Sequence, residues 1–225
     1  MMGNFTWKQP TGQAFVMNAV SNPKHQAILR AAKRAFLAHG YRGASMEAIA
    51  EAAPVSKPTL YSHFNGKQEL FAAVITDQCR ALLDTLSSVQ ASTLAAEASL
   101  RRIAMSFAYL IYSAESLSLL RLIIAEHQAF PELSELVHRS GVQPVFKRLT
   151  AYLVELHEAE VLSIPDAEQS AKLFLGMLQG NDHVRCLMGL RPIPDPSEKE
   201  KLVDAAVGLF LRGHRRSGPR MRGEP

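Results

Sequence analysis

In residues 45–67, Ser-Met-Glu-Ala-Ile-Ala-Glu-Ala-Ala-Pro-Val-Ser-Lys-Pro-Thr-Leu-Tyr-Ser-His-Phe-Asn-Gly-Lys, two serines each stand directly before apolar residues at helical spacing. Ser45 precedes Met46, Ile49, Ala50 and Ala53; Ser56 precedes Leu60 and Phe64. A serine so placed accepts a hydrogen bond from an amide of the first helical turn, and both therefore mark helix starts. The stretch predicts two short helices joined by a tight turn. On the second, at about 100° per residue, Leu60 and Phe64 share one face and Pro58, Thr59 and Ser62 the other, with Tyr61 and His63 on opposite flanks.

Helical periodicity continues on both sides, and strand alternation is nearly absent, which predicts an all-α chain of about nine helices. The first is expected from Pro23, suited to an opening turn, to His39, with Ile28, Ala32, Ala35 and Phe36 on one face and Gly40 supplying the positive φ that ends it. Asn65, with Gln68 three residues on, is expected to cap a long fourth helix reaching the Ser87 region. Further helices are expected near 94–113, 115–129, 131–160 (broken by Gly141 and Pro144), 166–190 and 197–212. Two starts are marked by Pro165-Asp166 with Gln169, and by Ser197 with Glu200 as a capping box behind a proline-rich linker over 192–196. The domains expected are a poorly ordered extension over 1–22, a three-helix unit over 23–70, a larger helical unit over 71–212 and a basic disordered tail over 213–225. Phe5, Trp7 and Phe15 of the extension are candidates to dock on the body.

A chain of 225 residues has room for one small and one larger core. No apolar run approaches the roughly 18 to 20 residues of a membrane helix; even Leu117 to Ala125 is split by Arg121. The first residues lack the basic start and apolar block of a secretion signal, so a cytoplasmic location is expected, with no membrane partner. Cys79 and Cys186 stand far apart with no CxxC spacing, which argues against a zinc site or a disulfide framework, and no metal or other cofactor is expected. The formal net charge of +4 is unevenly spread. From Lys24 to Lys67 seven Lys or Arg stand against Glu47 and Glu51, a balance of +5, whereas residues 68–211 carry −6 and the tail from Arg212 carries +4. A basic head on an acidic body suits a chain that holds phosphates with one end only.

The outward face of the third helix is equipped for the major groove of duplex DNA. Lys57 can donate to guanine O6 and N7, while Thr59 and the Pro58 ring can touch base edges or thymine methyls. Tyr61 and His63 on the flanks would reach phosphates on the two groove walls, fixing register without reading sequence. Lys67 falls at the start of the fourth helix, where its charge joins a positive dipole end, and Ser45 and Ser56, which open the second and third helices, are further candidates. The plainer reading of Tyr61 and His63 is that they pack against the fourth helix.

The run Ala-Glu-Ala-Ala-x-Val-Ser-Lys-Pro-Thr-Leu-Tyr-Ser-His-Phe-x-x-Lys over 50–67, preceded by an amphipathic helix and the turn Gly40-Tyr41-Arg42-Gly43, resembles the TetR family of bacterial one-component regulators. The likeness covers about Lys24 to Ala72. Leu119 to Leu133, with Ile-Ile-Ala-Glu-His followed by Phe-Pro-Glu-Leu, is similar to the AefR-like subgroup of C-terminal domains. The resemblance implies an N-terminal three-helix helix-turn-helix DNA-binding domain followed by a C-terminal helical ligand-binding and dimerisation domain. It implies DNA-contacting positions at Ser45, Lys57, Thr59, Tyr61, His63 and Lys67. Two departures stand out. The family's turn between the second and third helices commonly holds glycine where this chain has Pro54, and because proline fixes φ near about −65° the turn is expected to take another conformation. Glu47 stands near where some members place a base-reading side chain; a carboxylate there can accept from cytosine or simply repel phosphate.

Such a regulator needs a second reading head, which a homodimer on a double-stranded DNA operator supplies, with half-sites about 34 to 36 Å apart per helical turn. The last two helices are the expected pairing surface. Ala171, Gly176 and Gly180 allow close approach on one; on the other, Leu202, Ala206 and Leu209 form one stripe beside Val203, Val207 and Phe210. The remaining helices are expected to enclose a cavity for a small hydrophobic effector, lined by Phe107, Leu110, Ile111, Ile123, Phe146, Phe174, Met177 and Leu178. Polar groups to orient a guest would come from His127, Gln128, Asn181 and His183. The competing classes are an enzyme using Glu126-His127 and Asp182-His183, and a binding module whose head grips a protein. Neighbours on a helix point about 100° apart, so neither acid–histidine pair chelates by itself, and no nucleophile or phosphate-loop motif accompanies them.

Overall fold

The computed structural model describes residues 23–89 and 96–216, and every regular element among them is helical. The expected N-terminal extension, with Phe5, Trp7 and Phe15, and most of the basic tail lie outside the described residues. Two compact units emerge, the first ending at Val74 and the second starting at Ile75.

The first unit holds α1 (Pro23–Gly43), α2 (Met46–Ala52), α3 (Lys57–His63) and the opening turns of α4 (Lys67–Ser88). Helices of two turns do not persist alone in water, so α2 and α3 depend on what they bury. Ile28, Phe36, Ile49, Leu60, Leu70 and Phe71 are all fully buried, each contributing about 1.5–3 kcal/mol. Phe36 and Tyr41 set their rings edge-on to Phe71 at 4.9 and 5.5 Å.

The turns explain the spacing of this unit. Gly40, at φ 70°, breaks α1 after His39 as its sequence position predicts. Ser45 Oγ accepts from the Ala48 amide and Ser56 Oγ from the Thr59 amide, so both serines cap. Asn65 does not cap α4: its amide and its side chain both donate to Glu69 Oε2, at 2.9 and 2.7 Å, and the helix opens after Gly66, whose carbonyl takes the Leu70 amide.

Pro54 also corrects an expectation. The turn keeps left-handed geometry, with Pro54 at φ 24°. The Val55 amide closes onto the Ala50 carbonyl at 3.1 Å, the long bond of a Schellman end, while Ala53 and Leu60 on either side are buried. These contacts hold the proline far from its ring's preferred φ. Lacking an N–H, it cannot make the second bond of the motif.

The second unit continues α4 and adds α5 (Ala96–Ile111), α6 (Ala114–Glu126), α7 (Pro131–Val137), a π-turn (His138–Val142), α8 (Gln143–Glu158), α9 (Ala167–Leu187) and α10 (Pro196–Gly213). Its core is built on the fully buried Leu100, Ile103, Leu149, Leu153, Phe174 and Val203, with Phe174 against Phe210 at 4.8 Å. Tyr112 is buried, and its hydroxyl donates to the Leu178 and Gln179 carbonyls at 3.2 and 3.0 Å, just ahead of Gly180, whose φ of 50° kinks α9. The Arg121 guanidinium donates to the Cys186 and Leu187 carbonyls, both at 2.7 Å, closing the end of α9. Asp166 caps α9 through the Gln169 amide. The capping box of α10 is Asp195 with Glu198 and not Ser197 with Glu200, because Pro196 with its fixed φ takes the first helical position and leaves Ser197 inside the helix. No single helix among the described residues is long and apolar enough to cross a membrane.

Candidate nucleic-acid interface and body cavity

In the first unit, burying Leu60 fixes the rotation of α3. Leu60 is fully buried and Phe64 nearly so, which turns Pro58, Tyr61 and Ser62 outward; Tyr61 is 45% exposed. Ser56 and Lys57 are exposed beside them, and Thr59 is half-buried, its hydroxyl 2.8 Å from Ser56 Oγ. Ser62 Oγ donates to the Thr59 carbonyl at 2.8 Å. Pro58 adds a rigid ring without a donor in the first turn, where no intrahelical partner would be available anyway.

Electrostatics around this face are tempered by one carboxylate. Glu47 on α2 stands 3.7 Å from Lys57 Nζ, both side chains being more than half exposed. His63 is half-buried, its ring edge-on to His25 of α1 at 5.7 Å and 6.3 Å from the Phe64 ring. Lys67 is placed differently from a free phosphate ligand. Its ammonium donates to the Ala44 and Arg42 carbonyls at 3.1 and 3.3 Å and sits 4.7 Å from the centre of the Tyr41 ring. An ammonium has three donors, so one is left over after it has tied the α1–α2 turn to the start of α4.

In the second unit a cavity of about 330 Å³ lies among six segments. Ile75 and Cys79 of α4 and Phe107, Leu110 and Ile111 of α5 form one side. Val137, Gly141, Val142, Val145 and Phe146 come from α7, the π-turn and α8, and Lys172, Leu175, Gly176 and Gln179 from α9. Gly141 is required where it stands: a Cβ there would lie 2.9 Å from Ile75 Cγ2 and 3.3 Å from Cys79 Sγ. The Thr76 hydroxyl donates to the Ser140 carbonyl at 3.2 Å, satisfying a π-turn acceptor. Burial pushes the Cys79 thiol up to about 11, so it stays protonated at neutral pH.

Four expected lining residues, Phe107, Leu110, Ile111 and Phe146, face this cavity. The others do not. Phe174 and Leu178 are fully buried in the core, Ile123 is buried, and Met177 is half-buried against that core. His127, Gln128 and Asn181 are exposed, with His127 Nδ1 3.0 Å from Ser134 Oγ. His183 is buried edge-on to the Tyr112 ring at 5.5 Å, and Asp182 pairs with Arg185 and Arg191. Among the described residues no three of His, Cys, Asp and Glu form a group able to hold a metal ion. The error on α9 is a rotation of about one residue: the cavity face is Lys172, Leu175, Gly176 and Gln179, and the core face is Ala171, Phe174 and Leu178. A face carrying lysine, glycine and glutamine gives no apolar signal. Lys172 and Gln179, the polar residues of the cavity, were therefore invisible to periodicity.

Ala171 is fully buried and so is not on the outer surface of α9. That surface shows Leu173 (57% exposed), Gly176, Gly180, Val184 and Met188, and α10 adds Leu209 while burying Val203, Ala206, Val207 and Phe210.

Residues 28–74 match the family described as bacterial regulatory proteins, tetR family, and residues 98–216 match the AefR-like transcriptional repressor, C-terminal domain. The chain is similar to the HTH-type transcriptional activator FasR of Mycolicibacterium smegmatis, 50% identical over 48 residues, which is 21% of this chain and only 22% of that protein. Two solved structures resemble it almost throughout. The Flavonoid-responsive Regulator FrrA is 31% identical with a TM-score of 0.67, over 88% of this chain and 98% of that one. A TetR-family transcriptional regulator from Mesorhizobium loti MAFF303099 is 28% identical with a TM-score of 0.71, over 86% and 97%. With the C-terminal match spanning more than half its length and the helix-turn-helix match preceding it, the chain belongs to the TetR family of bacterial regulators, in the class with an AefR-like repressor C-terminal domain.

Proposed function

We propose that this chain is a DNA-binding transcriptional regulator that grips a palindromic operator as a homodimer and, as a repressor, is released by a small hydrophobic effector. The observation that carries this reading is the orientation of α3: Leu60 and Phe64 are buried, and Lys57, Pro58 and Tyr61 are presented outward on a basic unit. On DNA, Lys57 and Pro58 would read base edges, with Thr59 contributing its methyl. Tyr61, His63, Ser45 and Ser56 would hold phosphates, and Lys67 would offer its one remaining donor. The exposed apolar residues of α9 and α10, Leu173, Val184, Met188 and Leu209 around Gly176 and Gly180, are the surface proposed to pair with a second copy. An effector in the body cavity would meet Phe107, Ile111 and Phe146. A small-molecule response is supported by the relative named as a flavonoid-responsive regulator.

The test is a footprint on genomic fragments followed by affinity titration at several salt concentrations. A preferred palindromic site is expected, with log affinity falling linearly against log salt, and Lys57→Ala should lower affinity for that site about tenfold and relax the preference at the base pair it reads. Absence of any preferred site at low salt, or affinity indifferent to salt as for a protein partner, would overturn the reading. Sedimentation of the full chain checks the pairing: Leu173→Glu together with Leu209→Glu should shift dimer to monomer.

A further inference from the structure

The body cavity is hydrocarbon and aromatic on most of its wall, and its polar groups are few. Among its lining residues Lys172 is the one charged side chain, Gln179 the one amide, and the Cys79 thiol is neutral. A guest with no acidic group makes no use of that ammonium, and a cationic guest meets a like charge at the rim.

Lys172 also borders a second depression, of about 630 Å³, lined in addition by His138, Gln143, Lys147, Thr150 and Glu168. Val142, Phe146 and Lys172 line both spaces. An apolar interior therefore adjoins a groove that carries charged groups, Lys147, Lys172 and Glu168, among its lining residues. Lys172 Nζ is 2.7 Å from Glu168 Oε1, both side chains being more than half exposed. Such a solvated pair is weak enough for a ligand carboxylate to displace.

We propose that the effector is an amphiphilic organic anion, with a single ring system or medium-length alkyl chain in the 330 Å³ cavity and one carboxylate bound by Lys172 at the rim in place of Glu168. The size follows from the volume, which lies near the low end of the roughly 300–1,000 Å³ of ligand pockets. Gln179, two turns further along α9, is the second polar contact available to the guest. The assignment rests on the cavity being the effector site, and it adds the chemistry the effector must have.

Calorimetric titration of the full chain with decanoic acid, decanol and decylamine, each below its aggregation threshold, separates the alternatives. Decanoate should bind tightest, decanol about tenfold more weakly and decylamine weakest, as expected for one charge-assisted hydrogen bond at the mouth of an apolar site. Lys172→Ala should bring decanoate down to the level of decanol and leave decanol unchanged. Glu168→Gln should raise the affinity for decanoate alone, because it frees the ammonium. Equal affinity for decanoate and decanol, a preference for decylamine, an unchanged preference in Lys172→Ala, or no binding by any of the three would overturn the assignment. No DNA is present in these titrations, so such a failure leaves the operator reading standing, while a failed footprint alongside intact decanoate binding would sink the operator reading alone.

Discussion

The first unit and the second use their buried residues to opposite ends. In the first, fully buried Ile49, Leu60 and Phe71 lock short helices so that the chemistry points outward on α3. In the second, long helices close over a core and leave a gap inside it, so that the chemistry points inward from α9 and the π-turn. Their turns differ in the same sense. Both α2 and α9 end in a Schellman closure, Val55 onto Ala50 and Leu190 onto Arg185, but the left-handed position is Pro54 at φ 24° in the first unit and Gly189 at φ 74° in the second. Gly189 also makes the short bond, to Cys186 at 3.1 Å. The second unit ends its helix without strain, whereas the first holds a proline outside its own minimum.

The contrast breaks most sharply on substitution of buried against outward residues. Phe174→Ala should cost the second unit about 3–5 kcal/mol, since a fully buried ring against Phe210 leaves a cavity that helices on all sides cannot close. Lys57→Ala should change stability by less than about 0.5 kcal/mol, because its side chain is exposed and its partner Glu47 solvated. Chemical denaturation followed by circular dichroism measures both. A large stability loss in Lys57→Ala would mean that the outward face of α3 is part of the core architecture.

Pro54→Gly addresses the strained turn. Glycine takes this φ with no ring to oppose it, and the strain so relieved is expected to outweigh the about 0.4–1 kcal/mol of extra freedom in the unfolded chain. The net expectation is a more stable first unit, by about 1 kcal/mol or more, read as slower amide exchange at Leu60 and Ile49. Gly189→Ala should move the second unit the other way, by about 1 kcal/mol, because a Cβ is disfavoured in the left-handed region. If Pro54→Gly destabilises, the strain argument fails.

The outward face was far more legible from sequence than the inward one, and the reason is geometric. Ser45, Ser56, Leu60 and Phe64 announce two helices and their common buried side within a span shorter than three turns of chain per helix, so small errors of period do not accumulate. Over α8 and α9 they do. The π-turn at His138–Val142 adds a residue to the helical repeat and swings Gly141 and Val142 onto the cavity, which no 3.6-residue pattern foresees. On α9 the cavity face is read as polar surface because it bears Lys172 and Gln179. Lys67 was placed on the correct helix end, but its ties to the Arg42 and Ala44 carbonyls link residues more than twenty positions apart and leave no local signature.

Glu47→Gln sharpens the account of the outward face. The carboxylate now holds Lys57 at 3.7 Å and would stand against phosphates on a bound duplex. Removing its charge should raise affinity for any DNA by a few-fold, about what an exposed ion pair is worth, without altering which site is preferred. Titration of preferred and scrambled duplexes decides. A loss of preference at one base pair, with no general gain, would instead make Glu47 an acceptor from cytosine.

The smallest effect expected is one of pH, and it belongs to the second unit alone. His183 is buried against Tyr112, and burial lowers its pKa, partly offset by a hydrogen bond to the Ile111 backbone. A histidine whose folded pKa lies below its unfolded value, near about 6.5, binds fewer protons folded than unfolded. Its contribution to stability is therefore complete above that unfolded value and is lost as pH falls through it toward the folded one. The Cys186 thiol, its pKa raised by burial, stays protonated through this window. Thermal melts of the wild type between pH 7 and pH 5, set against His183→Gln, isolate the residue: the wild-type melting temperature should fall more steeply with acid than that of the variant. Parallel slopes would show that the ring is hydrated or paired in the folded state and that its burial carries no proton linkage.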